Sequence, residues 1–125
     1  MLLEERMPAK KIWAVAGANE DPAKYGNKIF RKLLSAGYTV YPVNPMYESV
    51  EGRPCYKDLS SLPEKPGVVN MVVSSKRGRP ILEEAARLGI ENIWFQPGTH
   101  DDELLEFAAA KGLNTIQSCV LTALG

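Results

Sequence analysis

The stretch IWAVAGANEDPAKYG, residues 12–26, decides the fold class of this chain. It begins with a short apolar run, and Gly17 follows where a strand should end. A polar loop then leads into an amphipathic helical segment, and a second apolar run, YTVYPVNP at residues 38–45, stops at an Asn-Pro pair. This order is typical of the opening of a nucleotide-binding α/β domain, in which backbone N–H groups at a helix N-terminus receive a phosphate.

Five strand-like apolar runs alternate with helical segments along the whole chain. The runs occupy residues 12–16, 38–43, 68–73, 92–95 and 114–117. They are mostly continuous rather than alternating, as expected of parallel strands that are covered on both faces. The helical segments have apolar residues at a spacing near 3.6, and each ends at a glycine: Gly37, Gly89 or Gly112. Repeated β-α-β units predict an open parallel sheet with right-handed crossovers.

Length and composition predict a single domain spanning residues 1–125. Of the 125 residues, 45% are hydrophobic, and fifteen basic residues balance fifteen acidic ones. A neutral chain has no global field that favours nucleic acid or an anionic membrane as a partner. No run approaches the roughly 18 apolar residues of a spanning helix, and the N-terminus does not resemble a secretory signal. Two distant cysteines fit neither a disulfide framework nor a zinc pattern, so we expect reduced thiols and a cytoplasmic location.

Two segments have weaker patterns. The second crossover, residues 45–67, is expected to be mostly irregular, with at most a short helix around Leu59. Residues 1–10 form a short N-terminal extension, in which residues 2–7 could make a turn before the first strand.

The residues that follow the strands should carry the ligand, because open α/β sheets bind ligands beyond the carboxyl ends of their strands. This rim is small, polar or basic and contains no carboxylate. It consists of Gly17, Ala18, Asn19, Asn44, Pro45, Ser74, Ser75, Lys76, Arg77, Gln96, Pro97, Gly98, Ser118 and Cys119. Such a rim suits an anion.

The glycine spacing separates this chain from two common nucleotide-binding motifs. Gly17 would let the backbone approach a phosphate, and Gly26 would let a pyrophosphate reach the helix N–H groups. The spacing matches neither GxGxxG nor GxxxxGK[ST]. The second strand ends at Asn44, which can hydrogen-bond a sugar or a base but cannot replace the acid that usually holds the NAD ribose. NADP, with basic residues on its 2′-phosphate, stays open as an alternative.

Cations are placed at a predicted helix start. Lys76, Arg77 and Arg79 lie where the helix macrodipole disfavours positive charge, which makes sense if a bound anion completes the local electrostatics. A solvated basic loop is the alternative. Four further basic residues can add to this patch or simply face water: Lys24, Lys28, Arg31 and Lys32.

Catalytic patterns are scarce, and no metal site is predicted. His100 lies in GTHDDE, where Thr99 or Asp101 is a candidate helix N-cap, and a surface or capping role explains it. Cys119 lies beside the expected cleft and could meet a ligand thiol, or it could be a small residue packed at the sheet edge.

Several segments in the same order resemble one known family. They are GANEDPAKYGNKI at 17–29, YPVNPMY at 41–47, CYKDLSSLP at 55–63, VVSSKRG at 72–78 and IWFQPG at 93–98. Together they resemble the small CoA-binding proteins, which are stand-alone Rossmann domains related to the CoA-binding part of the succinyl-CoA synthetase alpha subunit. The resemblance runs over residues 11–124.

The resemblance implies a doubly wound three-layer sandwich with a five-stranded parallel sheet, and coenzyme A or an acyl-CoA lying across the strand ends. It assigns Gly17, Ala18 and Asn19 to the phosphate loop, and Tyr25 and Gly26 to the flanks of the pyrophosphate. Asn44 and Pro45 would lie by the adenosine. The opposite wall would comprise Val73, Ser74, Ser75 and Lys76, and the pantetheine side would comprise Gln96, Pro97 and Cys119.

This chain departs from relatives at two places named by the resemblance. Ser74 and Ser75 stand where proline is frequent, and Met46 stands where a polar or basic residue is common. Lys76 or Arg77 is therefore the candidate contact for the 3′-phosphate.

The resemblance favours a non-catalytic carrier, sensor or regulatory module, because synthetase chemistry needs a further domain with an active-site histidine and a partner subunit. A redox-type NAD(P)-binding protein and an interaction module with a vestigial cleft are the alternatives. Homodimers are common among such small domains, so a homodimer is left open.

Overall fold

A computed structural model describes residues 6–124 of the chain. Its elements, in chain order, are β1 Ile12–Ala16, α1 Tyr25–Ser35, β2 Thr39–Val43, β3 Ser49–Val50, β4 Arg53–Pro54, a 3₁₀ turn Leu59–Ser61, β5 Val68–Met71, α2 Ser75–Arg87, β6 Asn92–Phe95, α3 Asp102–Ala110, β7 Asn114–Gln117 and α4 Val120–Ala123.

The central sheet has five parallel strands in the order β2-β1-β5-β6-β7. The predicted Rossmann-like α/β fold is thereby confirmed. The strand order reverses between β1 and β5, which makes the carboxyl ends of these strands the topological switch point. In the register of the sheet, Ala16 is paired with both Val43 and Met71, so β2, β1 and β5 end at one level.

Helices cover both faces of the sheet, as the continuous apolar strands predict. On one face Ile29 and Phe30 of α1 pack in the same core cluster as Trp13 of β1 and Val120 of α4. On the other face a second core cluster joins the inward side chains of α2 and α3 to the strands; it includes Ala14, Ala16, Val69, Met71, Leu82, Ala85, Leu104 and Ala108. The result is the three-layer sandwich.

Two predicted strand bounds were wrong. The third parallel strand ends at Met71 rather than at residue 73. The Val72 amide still donates to the Ala16 carbonyl at 2.8 Å, after which the chain turns into α2. The second strand begins at Thr39, because the Tyr38 amide instead donates to the Leu33 carbonyl at the end of α1.

The second crossover contains more structure than the sequence predicts. The short helical turn near Leu59 is present, but a two-residue antiparallel ladder of β3 and β4 precedes it. The ladder turns through Glu51 and Gly52, which both have positive φ, 51° and 74°. Two left-handed residues are typical of a tight hairpin turn, but Glu-Gly is not one of its strong sequence signals.

The N-terminal extension is partly integrated into the domain. Most of the turn predicted at residues 2–7 lies outside the described residues. Met7 is fully buried, the Tyr38 hydroxyl donates to the Pro8 carbonyl, and the Trp13 indole donates to the Lys10 carbonyl at 3.1 Å. Across residues 6–124, none of the helices has the length and apolar character that crossing a membrane requires.

Candidate functional site

The turn after β1 is closed by direct contact between backbone atoms. Gly17 has φ +99°, and a Cβ built there would lie 2.8 Å from the Val72 carbonyl oxygen. A Cβ on Gly26, in the first turn of α1, would lie 2.1 Å from the Gly17 carbonyl oxygen. Both positions therefore require glycine for the fold. At Gly26 the space of the missing side chain is occupied by the Gly17 carbonyl oxygen. The sequence had instead suggested that a pyrophosphate would use this space.

Asparagine side chains hold the loops after β1 and β2 together. Asn44 donates its Nδ2 hydrogen to the Ala18 carbonyl at 2.8 Å and accepts from the Met46 amide at 2.9 Å. Asn19 accepts from the Tyr47 hydroxyl at 3.2 Å, while its own carbonyl accepts from buried Asn27 at 2.9 Å. Asn44, expected to bond a sugar or base, thus already uses both ends of its amide in fixing the loop.

The three long helices begin differently. Neither α1 nor α2 has an acidic residue in its first turn, and their N-cap residues, Lys24 and Ser74, make no side-chain capping bond. Helix α3 is capped by Asp101, whose carboxylate accepts from the Leu104 amide at 2.8 Å, and two more acids follow in its first turn.

The residues around His100 have structural partners. Asp101 rather than Thr99 is the N-cap, because the Thr99 hydroxyl donates to the Gln96 carbonyl at 2.6 Å. His100 is half-buried, with its ring at 5.8 Å from that of Phe95 in an edge-on arrangement. A structural role therefore accounts for it.

A cavity of about 430 Å³ lies at the switch point, on the α2 side of the strand ends. Among the predicted site residues, it brings together Gly17, Asn44, Pro45, Val73 and Arg77. The lining is completed by Ala16, Val43, Met46, Lys57, Asp58, Leu59, Ile81 and Glu84.

The acidic and the basic side chains of this cavity differ in their protein partners. Asp58 accepts from the Ser61 amide at 2.9 Å, and Glu84 accepts from the Leu59 amide at 2.9 Å. Within residues 6–124, neither Lys57 nor Arg77 has a carboxylate within 4.0 Å. Two cations without a protein counter-ion therefore line the cavity beside the N-terminus of α2, and this arrangement suits an anion.

Other predicted site residues lie along the same edge of the sheet but outside the cavity. Ser75 and Lys76 line a smaller cleft of about 220 Å³ between α2 and α3. On the opposite face, buried Gln96 accepts from the Val120 amide at 3.1 Å, next to half-buried Cys119. Six predicted site residues belong neither to the cavity, nor to the cleft, nor to the group at Gln96: Ala18, Asn19, Tyr25, Gly26, Ser74 and Pro97. An extended ligand would have to cross the sheet edge to touch the whole set.

The basic residues of α1 form a separate surface. Lys28, Arg31 and Lys32 line an open groove with Leu121 of α4. This groove lies on the α1 face, whereas the cavity lies on the α2 face, so these cations do not add to the charge of the cavity.

Eight cavity residues are not among the predicted site residues: Ala16, Val43, Met46, Lys57, Asp58, Leu59, Ile81 and Glu84. For the α2 residues a signal existed, because Arg77, Ile81 and Glu84 follow an i, i+4, i+7 spacing that places them on one helix face. Residues 57–59 belong to an irregular segment without periodicity.

Both cysteines are free and half-buried. Cys55 lies against the loop after β2, and its thiol donates to the Asn44 carbonyl at 3.5 Å. Burial raises the pKa of the Cys55 thiol. Within the described part of the chain, His, Cys, Asp and Glu form no cluster of three or more that could hold a metal ion.

Comparison with known proteins places these features in a family context. A family model described as a CoA binding domain matches residues 11–125. The ADP-forming acetate–CoA ligase I of Archaeoglobus fulgidus is 37% identical over 87 residues, which are 70% of this chain and 13% of the ligase. The alpha subunit of the ADP-forming acetate–CoA ligase II of Pyrococcus furiosus is 31% identical over 119 residues, covering 86% of this chain and 26% of the subunit.

A solved structure of similar size also resembles this chain in sequence and in fold. A hypothetical protein from Pyrococcus horikoshii OT3 is 33% identical and superposes with a TM-score of 0.88, over 99% of this chain and 94% of the other. This chain therefore spans nearly the whole of that small protein but only about a quarter or less of the two ligases.

Proposed function

This chain belongs to the CoA-binding domain family, and on that premise we propose that it binds coenzyme A or an acyl-CoA across the carboxyl ends of its strands. By itself it serves as a non-catalytic carrier, sensor or regulatory module. The observation that carries the proposal is the cavity at the switch point, where Lys57 and Arg77 lie beside the N-terminus of α2 with no carboxylate of residues 6–124 within 4.0 Å of either.

The chemistry of the lining supports an orientation for the ligand. The cavity combines apolar surface from Met46, Leu59 and Ile81 with two cations at its wall. A purine with a phosphorylated ribose has the matching combination of a flat apolar ring and an anion. The 3′-phosphate therefore lies by Arg77 and Lys57, with the adenosine against Pro45 and Met46.

The remaining length of the ligand follows the strand ends toward the opposite face. The pyrophosphate lies by the start of α1, at Gly17, Ala18 and Asn19, flanked by Tyr25. Helix α1 has no acid in its first turn to compete with it. The pantetheine arm runs past the residues after β5 toward Gln96, Pro97 and Cys119.

Calorimetric titration of ligand-stripped protein with coenzyme A tests the proposal. We expect one CoA per chain and no heat from adenosine alone at the same concentrations. Absence of CoA binding up to about millimolar concentration, with binding of another nucleotide, overturns it, because millimolar affinity corresponds to only about 4 kcal/mol of binding free energy.

NADP is the rival that the same observation allows, because Arg77 and Lys57 could accept a 2′-phosphate. NADPH should fail to displace bound CoA at equal concentration. Full displacement would favour the redox alternative. NAD is disfavoured, because Asn44 rather than an acid follows the second strand, where NAD-binding domains usually hold the ribose hydroxyls.

The non-catalytic part of the proposal has a separate test. The relatives named as ligases are much longer than this chain, and their activity belongs to those whole proteins. We expect no acyl-CoA when the chain alone is incubated with acetate, ATP and CoA. Formation of acetyl-CoA at a rate proportional to protein concentration would contradict this part and leave the binding part intact.

A further inference from the structure

Glu84 attaches helix α2 to the segment that forms one side of the cavity, residues 57–59, which we call the crossover wall. Its carboxylate accepts three hydrogen bonds from the start of the 3₁₀ turn: from the Leu59 amide at 2.9 Å, the Ser60 amide at 3.2 Å and the Ser60 hydroxyl at 2.6 Å. Only 15% of its side chain is exposed. Hydrogen bonds to an ionised acceptor are the stronger kind.

The other end of the crossover wall is attached to β2. The Tyr56 amide donates to the Pro42 carbonyl at 2.9 Å, and the Tyr56 carbonyl accepts from the Asn44 amide at 2.8 Å. The Ser61 amide and hydroxyl donate to the Asp58 carboxylate, so these bonds join the crossover wall only to the 3₁₀ turn that follows it and not to β2 or α2. Lys57 therefore lies between one attachment on β2 and one on α2.

Glu84 also shares a helix face with the second cation of the cavity. Arg77, Ile81 and Glu84 recur at i, i+4 and i+7 and all line the cavity. The bonds of Glu84 consequently fix the distance between the crossover wall, which carries Lys57, and the helix that carries Arg77.

We propose that Glu84 is a positioning residue: by holding the crossover wall against α2, it places Lys57 opposite Arg77 and so creates a subsite for a phosphate on a ribose. The identification of that phosphate as the 3′-phosphate of CoA rests on the proposed function.

The sign of the effect separates positioning from simple charge. By Coulomb's law, a carboxylate beside a phosphate subsite repels the ligand, so its removal would tighten binding. If Glu84 positions Lys57, its removal weakens binding of the phosphorylated ligand, because Lys57 moves away with the wall.

The experiment compares Glu84→Ala and Glu84→Gln with the control Glu83→Ala, which removes the same charge from an exposed neighbour. The probes are adenosine 3′,5′-bisphosphate and AMP, in addition to CoA and dephospho-CoA, all measured by calorimetry. We expect Glu84→Ala to reduce the preference for the 3′-phosphorylated member of each pair by about tenfold, as loss of one charge-assisted contact does. Glu84→Gln should restore part of the preference, and Glu83→Ala should leave it unchanged.

A double-mutant cycle with Lys57→Ala shows whether the effect passes through Lys57. In the Lys57→Ala background, Glu84→Ala should have no further effect on the preference, because there is no cation left to position. Hydrogen exchange at the Leu59 and Ser60 amides, together with thermal unfolding, verifies that the wall is released while the domain stays folded.

The outcomes separate this inference from the proposed function. An unchanged or increased preference in Glu84→Ala, or additive effects in the cycle, overturns the positioning role. If the wild type binds no CoA yet prefers the bisphosphate to AMP, and Glu84→Ala loses that preference, the inference stands and the proposed function falls.

Discussion

Helices α1 and α2 begin without any carboxylate of their own, whereas helix α3 begins with three. Asp101 caps α3 and two acids occupy its first turn, so its N–H groups and its macrodipole are satisfied within the protein. Lys24 and Ser74, at the corresponding positions of α1 and α2, make no capping bond. The start of α3 is therefore complete within the protein, whereas the starts of α1 and α2 are the ones to which the proposed function assigns an anion.

The N-termini of α1 and α2 also differ from each other. The start of α1 is packed against the Gly17 carbonyl, while Arg77 in the first turn of α2 lines the open cavity. The start of α1 is therefore fixed by the fold, whereas under the proposed function substitutions at the start of α2 should change ligand selectivity without disturbing the core.

The largest effect is expected at the start of α1. In Gly26→Ala the new Cβ would lie 2.1 Å from the Gly17 carbonyl oxygen, and such overpacking should lower the free energy of unfolding by about 3 kcal/mol. Helix propensity alone predicts stabilisation by up to about 1 kcal/mol. Chemical denaturation decides between them.

Gly37→Ala is the matched control. Gly37 has φ +93°, but apart from its chain neighbours no group of residues 6–124 lies within 4 Å of the position that its Cβ would take. Only the backbone strain, about 1–2 kcal/mol, should therefore appear. Equal losses in the two variants would mean that the contact with Gly17 is unimportant.

A carboxylate introduced at the start of α2 should stabilise the fold and weaken CoA binding. In Ser74→Asp the new cap satisfies the helix start and should raise the free energy of unfolding by about 0.5–1 kcal/mol. The same charge repels the ligand phosphates, so CoA affinity should fall about tenfold, which corresponds to about 1.4 kcal/mol. An affinity equal to that of the wild type would place the anion elsewhere.

Removing a carboxylate from α3 should lower stability without affecting ligand binding. Asp101→Ala loses the bond to the Leu104 amide and should cost about 1 kcal/mol of stability. CoA affinity should not change, because the proposed site places the ligand phosphates at α1 and α2, and Asp102 and Glu103 still occupy the first turn of α3. A clear change in the dissociation constant would remove the distinction between α3 and the other two helices.

The smallest effect concerns Cys55, which lies against the loop after β2 rather than at a helix start. Burial raises the pKa of Cys55, so at pH 8.5 its thiolate fraction is lower in the folded than in the unfolded chain. In a Cys119→Ser variant, iodoacetamide should label Cys55 more slowly in the folded protein than in denaturant. Equal or faster labelling in the folded state would contradict the raised pKa.

The raised pKa of Cys55 also makes the stability of the fold depend on pH. Because the pKa of this thiol is higher in the folded than in the unfolded chain, its contribution to the free energy of unfolding is fully present below about pH 8.5. That contribution is lost as the pH rises through the folded pKa.

The sequence predicts the fold better than the site. Continuous apolar runs separated by glycines specify the parallel strands, since β5 and β6 are buried along their whole length and each of the three long helices is followed by a glycine. The predicted third strand is too long, because Val72 and Val73 continue the apolar run beyond Met71 although the chain there leaves the sheet beside Gly17. The β3–β4 ladder depends on a Glu-Gly turn whose conformation its composition does not indicate.

For the site, topology brings the strand-end residues to one edge, so positions such as Gly17, Asn44 and Arg77 could be anticipated. For Glu84 only the helix face that it shares with Arg77 could be anticipated. Its contact with the crossover wall, and with it the position of Lys57, could not, because this contact depends on hydrogen bonds between residues about 25 positions apart in an irregular segment and a helix. That part of the cavity is formed by residues that lie far apart in the sequence and come together only in the folded chain.

The most direct test of CoA recognition by the cavity is to titrate wild-type protein and Arg77→Ala with CoA and dephospho-CoA, with Arg53→Ala as a control. We expect the wild type to bind CoA about tenfold more tightly than dephospho-CoA, as one charge-assisted contact should allow. Arg77→Ala should lose this difference and Arg53→Ala should keep it. Equal affinity of the wild type for both ligands, or an undiminished difference in Arg77→Ala, would contradict recognition of the 3′-phosphate by this cavity.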